Sequence, residues 1–488
     1  MAGLPERPPA DRSNSYQGIP EAEQLGQKFF FDARFSGVAT QMDTLRRPVP
    51  YARSAKGQPV ALSCASCHDG ARAGIDTSSV PGHVSVGAGW FDVNAQPTVN
   101  ASYYELAFWN GRADSMWAQA LLATEGAVAM NGSRLATAWT ISDLYRDEYQ
   151  AVFASYPVPM EGPSSAVKAL LDTEAPRVGQ CKLDAAGACA APCRQAEDGS
   201  CWPRFPLAGK PGTKMGCQGG DPAEPAGDAW DCMAKEDRDE VLRMFVNFGK
   251  AIAAFEARLV SRNSAFDRFV ADGPSSTAIS ASARRGAHLF IGKAACSDCH
   301  GTPLLADNKF HDIGVPQVGP AVPTVGDCPA GGVCDCVELP ATTAADGTPV
   351  PAKDANNCLP WGGRDGLAKL RRNAFRRDSV WSDDPTDNTR QRWVDGGPDM
   401  AARGAWRTPS LRDVALTGPY MHDGVYQTLD EVVAHYARGG NADAVGGRAP
   451  EIRPLFLDAQ EQVDLVEFLK TLTGEPLSLE MRKAPVLP

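Results

Sequence analysis

The chain has 488 residues, 43% hydrophobic and 22% charged, a balance ordinary for globular domains and a length that allows two or three of them. No run approaches the ~18 apolar residues that a membrane-spanning helix needs, so the sequence does not read as an integral membrane protein. A formal net charge of −11 disfavours nucleic acid as a partner and favours a neutral or basic docking face on any protein partner.

Residues 1–20 are Pro-rich and polar and read as an extended N-terminal arm. A short helix is predicted from Glu21, with Leu25, Phe29 and Phe30 on one face. Cys64-Ala65-Ser66-Cys67-His68 comes next, followed by Gly-, Ser- and Asp-rich loop up to Trp90. Pro97 to Trp109 carries four aromatics, Tyr103, Tyr104, Phe108 and Trp109, and ends in the turn signal Asn110-Gly111. A helix should follow with Trp117, Ala120 and Leu121 on one side.

From Cys181 to Cys232 no period is legible, and residues 177–236 read as a Cys-rich insertion. Asp237 to Val260 is the clearest helix, since Val241, Met244, Phe245, Phe248, Ile252, Phe255 and Leu259 recur at helical spacing. Ala283 to Ile291 then leads into Cys296-Ser297-Asp298-Cys299-His300 just as Gly26 to Phe31 precedes the first such motif, a weak internal repeat. Residues 320–400 read as a second irregular, Cys-bearing insertion. Thr428 with Glu431, and Asp458 with Glu461, have the spacing of capping boxes, and each predicts a helix start. The first of these helices should stop at Gly439-Gly440.

The C-x-x-C-H spacing sets two thiols where they can add to the two vinyl groups of one haem and leaves the histidine under the iron. Given the 14 Cys and 7 His of the chain, chance would supply roughly 0.006 such motifs. A zinc ribbon or thiol redox motif would need a second C-x-x-C nearby or a thioredoxin-like βαβ pattern, and neither is present. Cys64, Cys67 and His68, and again Cys296, Cys299 and His300, are therefore the expected attachment and ligand residues of two covalently bound haem c groups. The remaining ten cysteines gather in the two insertions and read as up to five disulfides, with Cys334-Asp335-Cys336 as an alternative metal site. Haem c attachment and disulfides both predict an extracytoplasmic location. Met1 to Gly18 has no apolar core of a signal peptide, so a signal sequence is expected to be absent from this chain.

Phe108-Trp109-Asn110-Gly111-Arg112-Ala113, Gln119-Ala120, Arg407-Thr408-Pro409-Ser410-Leu411-Arg412 and Pro419-Tyr420-Met421-His422-Asp423-Gly424 together resemble the bacterial di-haem cytochrome c peroxidases and their MauG and MbnH-like relatives. The resemblance runs from about Glu21 to Gly474, apart from the two insertions. It implies a mainly α fold of two cytochrome-c-like haem domains with long, loop-rich, disulfide-stapled insertions: a peroxidatic domain at 21–262 and an electron-transfer domain at 263–488. It also implies a periplasmic location. By the same resemblance Trp109 relays electrons between the haems, Gln119 lies above the first haem, and a calcium ion sits between the domains. Asn94 and the carbonyls of Thr417 and Pro419 are the residues matching its ligands, although Ala95 aligns with the family's Asn.

The departures from the pattern carry as much information. A histidine that caps the first iron in the peroxidases is replaced by Ala88 in Gly87-Ala88-Gly89-Trp90, which implies an open first iron; His83 is the nearby substitute. A methionine that ligates the second iron is replaced by Tyr436, the MauG pattern, with Met421 as runner-up and helix packing as the alternative role. A phenolate is hard and anionic, so it favours the oxidised iron where a thioether would not. The family's acid/base glutamate is replaced by Ala129, which moves no protons, so Glu125 one turn earlier is the candidate to serve instead.

These residues lead to an expected di-haem peroxidase, a MauG-like enzyme that takes hydrogen peroxide and uses high-valent haem to oxidise residues of a partner protein by electron transfer through the second haem. The alternatives are a cytochrome c peroxidase fed by a small cytochrome or cupredoxin and a non-catalytic di-haem electron carrier.

Overall fold

The computed structural model describes residues 3–43, 53–78, 85–91, 93–154, 181, 183–189, 193–195, 201–211, 230, 233–316, 342–343, 349–350, 362–401, 404–441 and 448–488. It is mainly helical, and its β-structure is confined to two- and three-residue antiparallel pairs such as Ser85–Val86 with Trp90–Phe91 and Phe310–His311 with Trp406–Arg407. No helix among the described residues is long and apolar enough to cross a membrane.

The first half is organised by the Lys235–Glu256 helix, which buries Val241, Met244, Phe245, Phe248, Ile252 and Phe255, the face that its periodicity predicts. The Pro20–Phe31 and Met116–Glu125 helices pack on it. Phe29 is the hub of an aromatic cluster, with Phe35, Tyr145 and Phe248 at ring distances of 5.3, 5.1 and 5.1 Å. At the crossing of the first and longest helices, a Cβ on Gly26 would lie 1.8 Å from the carbonyl oxygen of Ala251.

The second half repeats the device. The Ala281–Ile291 helix crosses the Ala459–Lys470 helix, and there a Cβ on Gly286 would lie 1.9 Å from the carbonyl oxygen of Asp464. Phe30 and Phe290, each four residues past its glycine, are both buried. The weak repeat read from the sequence is thus one helix crossing used twice, just upstream of each C-x-x-C-H motif. The Leu429–Ala437 helix packs beside this pair through Leu429 and Val433. Thr428/Glu431 and Asp458/Glu461 form complete capping boxes, and Gly439 and Gly440 follow the end of the first helix at φ +82° and +76°.

Two expectations are corrected. The N-terminal arm is not extended: its residues turn back and are pinned, because their polar groups find buried partners. Asn14 donates to the Lys250 carbonyl (2.9 Å), the Trp117 indole N–H donates to Ser13 Oγ (2.9 Å), and the Ser15 amide donates to Asp383 (2.8 Å). Asp383 also forms a fully buried ion pair with Lys250. The longest described part of the second insertion, 362–400, is not irregular either. It contains the Gly363–Arg372 and Gln391–Gly396 helices, and Leu367, Leu370 and Trp393 cluster with Leu106 of the first half. Short range explains the miss: an apolar pattern that makes sense only against a remote surface has no local signal. In the first insertion, Cys181–Cys193 and Cys189–Cys201 are disulfides. Cys217, Cys232, Cys328, Cys334, Cys336 and Cys358 lie outside the described residues.

Because the two glycines meet backbone that cannot swing aside, Gly286→Ala should lower the stability of the holoprotein to urea unfolding by about 3 kcal/mol, the upper range for overpacking a tight contact. An unchanged midpoint would mean that the two helices can part.

Candidate functional site

Two cavities lie on either side of a shared wall. Into the first, a turn at Cys64–Ser66 presents both thiols of the first motif; the Ser63 amide donates to Ser66 Oγ (3.0 Å) and holds the turn. Cys64 and Cys67 are not disulfide-bonded. Burial keeps both protonated by pushing the Cys64 thiol up and the Cys67 thiol to about 12. His68 Nδ1 is 2.8 Å from the Gly74 carbonyl, which leaves Nε2 as the ring nitrogen available to a metal. Burial lowers the His68 pKa and so favours the neutral, ligating form. The other walls of this cavity include Gln119, Ala120 and Ala123 from the Met116–Glu125 helix and Gly87 and Ala129 from two loops.

Those loops are pressed together. The Ala88 amide donates to the Ala129 carbonyl (2.7 Å), and a Cβ on Gly87 would sit 2.2 Å from that same oxygen. Ala88 is fully buried and offers only a methyl group where the peroxidase pattern has a histidine. His83 lies outside the described residues. Glu125 does not line the cavity. Its carboxylate is held by Arg134 at 2.5 and 2.8 Å and also accepts from the Arg134 amide. The helix carrying it turns Gln119 and Ala123 inward and Glu125 away, so the proposed substitution of Glu125 for the missing acid is corrected.

The second cavity receives Cys296, Cys299 and His300 from the Ser297–His300 turn. His300 Nδ1 lies 2.6 Å from the Leu305 carbonyl, the same arrangement as His68 with Gly74. Tyr436 lines this cavity with Val432 and Val433, one helical face, and Met421 and His422 line it too. Burial first, then the neighbouring cysteines, push the Tyr436 phenol pKa up. Asp307 accepts from His311 at 2.8 Å, which raises the His311 pKa to about 10 and lowers that of Asp307 to about 2 despite burial. Cys299, Asp307 and His311 together have metal-binding spacing, but Cys299 is the second thiol of the attachment motif.

Trp109 and Arg407 line both cavities. The Arg407 amide donates to the Trp109 carbonyl (2.9 Å), and the buried guanidinium lies 3.7 Å over the Tyr104 ring. The Trp109 indole N–H donates to the Asn94 carbonyl (2.9 Å). His422 stands between two tryptophans, 6.5 Å from Trp109 edge-on and stacked on Trp406 at 4.2 Å. Burial lowers its pKa to about 3, so the ring is neutral. Arg407 and His422 stand in the sequence only inside motifs and Trp406 in none; that they gather around Trp109 is tertiary.

Asn94 does reach the region expected for calcium, where its amide Nδ2 donates to the Pro419 carbonyl (2.6 Å) and its backbone N–H to the His422 carbonyl (2.6 Å). Thr417 hydrogen-bonds back to Val414. The Pro419 oxygen is thus satisfied by a neutral amide, and the geometry alone does not require a cation.

Paired free thiols, a backbone-oriented histidine beside each pair, and a cavity at each site fit two covalently attached haems. A family model, described as di-haem cytochrome c peroxidase, matches residues 20–175. The cytochrome-c peroxidase IdrP1 of Denitromonas iodatirespirans is 27% identical over 466 residues, 94% of this chain and 84% of that protein. The methylamine utilization protein MauG of Methylorubrum extorquens is 31% identical over 235 residues, 48% of this chain and 46% of that protein. The chain is thus similar to di-haem cytochrome c peroxidases and MauG proteins. That likeness makes it a di-haem peroxidase and implies two c-type haems. The fold agrees: the crystal structure of a MauG-like protein associated with microbial copper homeostasis superposes with a TM-score of 0.53 at 22% identity, covering 99% of this chain and 97% of that one.

Two measurements check the site. Denaturing mass spectrometry after expression with the cytochrome c maturation machinery should find two haem masses on the chain, and one should remain when Cys296 and Cys299 are both changed to Ala. Glu125→Gln should leave the peroxide reaction within about twofold of wild type while costing about 1–3 kcal/mol of stability through the orphaned Arg134 donors; a large loss of rate would return Glu125 to the site.

Proposed function

We propose that this di-haem peroxidase is MauG-like: it draws oxidising power from hydrogen peroxide and spends it on aromatic residues of a partner protein in the periplasm. The carrying observation is Tyr436, whose side chain lines the cavity that also holds His300, Cys296 and Cys299. In this reading Tyr436 and His300 would hold the second haem and His68 the first. The haems supply peroxide cleavage at the first site and electron storage at the second. The remaining functions belong to side chains.

Gln119 presents an amide to the first cavity and can hold a peroxide oxygen by hydrogen bonding. With alanine at position 88, the histidine that caps the first iron in the peroxidases has no counterpart at that position. Trp109, held by Asn94 and Arg407 in the wall common to both cavities, offers an indole as the intermediate station for an electron moving toward the first site. Neutral His422 adds no charge to oppose that movement. A calcium ion held by Asn94 and the Thr417 and Pro419 carbonyls belongs to this reading, as the resemblance implies. The disulfides Cys181–Cys193 and Cys189–Cys201 support an oxidising compartment.

The second reading is a peroxidase fed by a small cytochrome or cupredoxin. Met421 favours it, since it lines the same cavity as Tyr436 and a thioether ligand would raise the second potential. Substitution separates the two. Tyr436→Phe should abolish the low-spin ferric electron paramagnetic resonance signal, Met421→Leu should leave it, and the wild type should turn over reduced small cytochromes slowly; each 59 mV of one-electron mismatch costs about a factor of ten in equilibrium. The opposite pattern, with fast cytochrome turnover, would establish the second reading. Trp109→Phe should shorten the lifetime of the oxidised protein that peroxide alone produces, and an unaltered lifetime would remove Trp109 from the relay.

A further inference from the structure

The first cavity has one carboxyl group among its described lining residues, and it is neither Glu125 nor anything near Ala129: it is Glu256. Glu256 closes the Lys235–Glu256 helix, one turn after Ile252, and both side chains line the cavity, as i and i+4 neighbours on one helix face should. The residue is 4% exposed, and its Oε2 has no hydrogen-bond partner among the described groups. No described cation pairs with it, and it lies near enough to Cys64 to help push that thiol up. The other titratable groups on the walls of the cavity are His68, Tyr104, Arg112, Arg407, Cys64 and Cys67. Arg112 sits over the Phe108 ring and Arg407 over that of Tyr104, so neither guanidinium is drawn to the acid.

A buried, unpaired carboxyl lowers stability and therefore calls for a use. We propose that Glu256 is the proton-transfer residue of the peroxide site, in the role left vacant at Ala129; the proposal rests on peroxide reacting in the first cavity. As the O–O bond of hydrogen peroxide breaks, the departing oxygen needs a second proton to leave as water, and the retained oxygen must lose its own. A protonated carboxyl meets both needs: its hydroxyl donates to the departing oxygen while its other oxygen accepts the proton of the retained one, so it ends as it began. The two electrons of the cleavage would be supplied by the two haems that the attachment motifs would hold. Burial supports the protonated resting form by raising the Glu256 pKa to about 8.

The test uses the two-haem protein and stopped-flow mixing with hydrogen peroxide. Glu256→Gln, which keeps the shape but cannot exchange protons in this way, should slow the reaction by about 10²-fold or more, the usual yield of one general acid/base. It should also remove a fall in rate that the wild type shows as pH rises through about 8, where the acid form is lost. Ala129→Glu in the Glu256→Gln background should recover much of the rate. Two readouts are independent of activity: the infrared band of a protonated carboxyl should be missing from Glu256→Gln, and Glu256→Leu should unfold at a higher temperature than wild type. A Glu256→Gln rate and pH profile equal to wild type would overturn the proposal. If that variant fails to load haem, Glu256→Asp decides in its place, slowing supporting the role and an unchanged rate refuting it. A wild type that does not react with peroxide would instead sink the underlying reading, and the infrared and unfolding results would still report on the carboxyl.

Discussion

The arrangement depends on one joint, the hydrogen bond between the Arg407 amide and the Trp109 carbonyl. Residue 109 belongs to the loop before the Met116–Glu125 helix of the first half, and residue 407 to the short strand pair of the second, so the bond ties the two halves backbone to backbone. Since each side chain lines both cavities, the wall between the sites is one residue thick. Backbone partners are the right choice for such a wall, because they fix position without adding a titratable group. Asn94 reinforces it from behind by accepting the indole N–H and reaching both His422 and Pro419.

Electrostatics within the two cavities follow from burial. His68, His300 and His422 all have lowered pKa values for that reason, so each stays a neutral ring. Several charged groups are held in compensated pairs. The Arg134–Glu125 pair closes the far side of the Met116–Glu125 helix, Lys250–Asp383 anchors the N-terminal arm, and Asp307–His311 stands beside Cys299. Glu256 is buried without a described cation, and among the described residues it is the carboxyl on the wall of the first cavity.

The two halves are built alike where haem attachment demands it and differ where function does. In each, a glycine lets the helix upstream of C-x-x-C-H press on a carbonyl of the half's last long helix, which fixes the motif against the core. Beyond that crossing the first cavity carries Gln119, Ala120, Ala123 and Ala129 from the Met116–Glu125 helix and the loop after it, whereas the second carries Tyr436, Met421, His422 and Trp406.

What the sequence determined by itself is whatever depends on neighbours within a few positions. The two attachment motifs were legible because thioether chemistry demands a fixed local spacing, and the capping boxes at Thr428 and Asp458 because a side chain reaches its own helix terminus only at N3. The Lys235–Glu256 helix was legible because its buried stripe repeats with the helical period. Tertiary structure decided the rest. Glu125 looked like the available acid on spacing alone, yet Arg134, nine residues on, takes its carboxylate, while Glu256 reaches the cavity from a helix remote in sequence. The arm and the 362–400 segment gave no reliable signal, since the partners that order them, Lys250, Asp383 and Leu106, are far along the chain. Local spacing encodes covalent and capping geometry, but which side chain faces a cavity is set by how helices cross, and those crossings are made by contacts hundreds of residues apart.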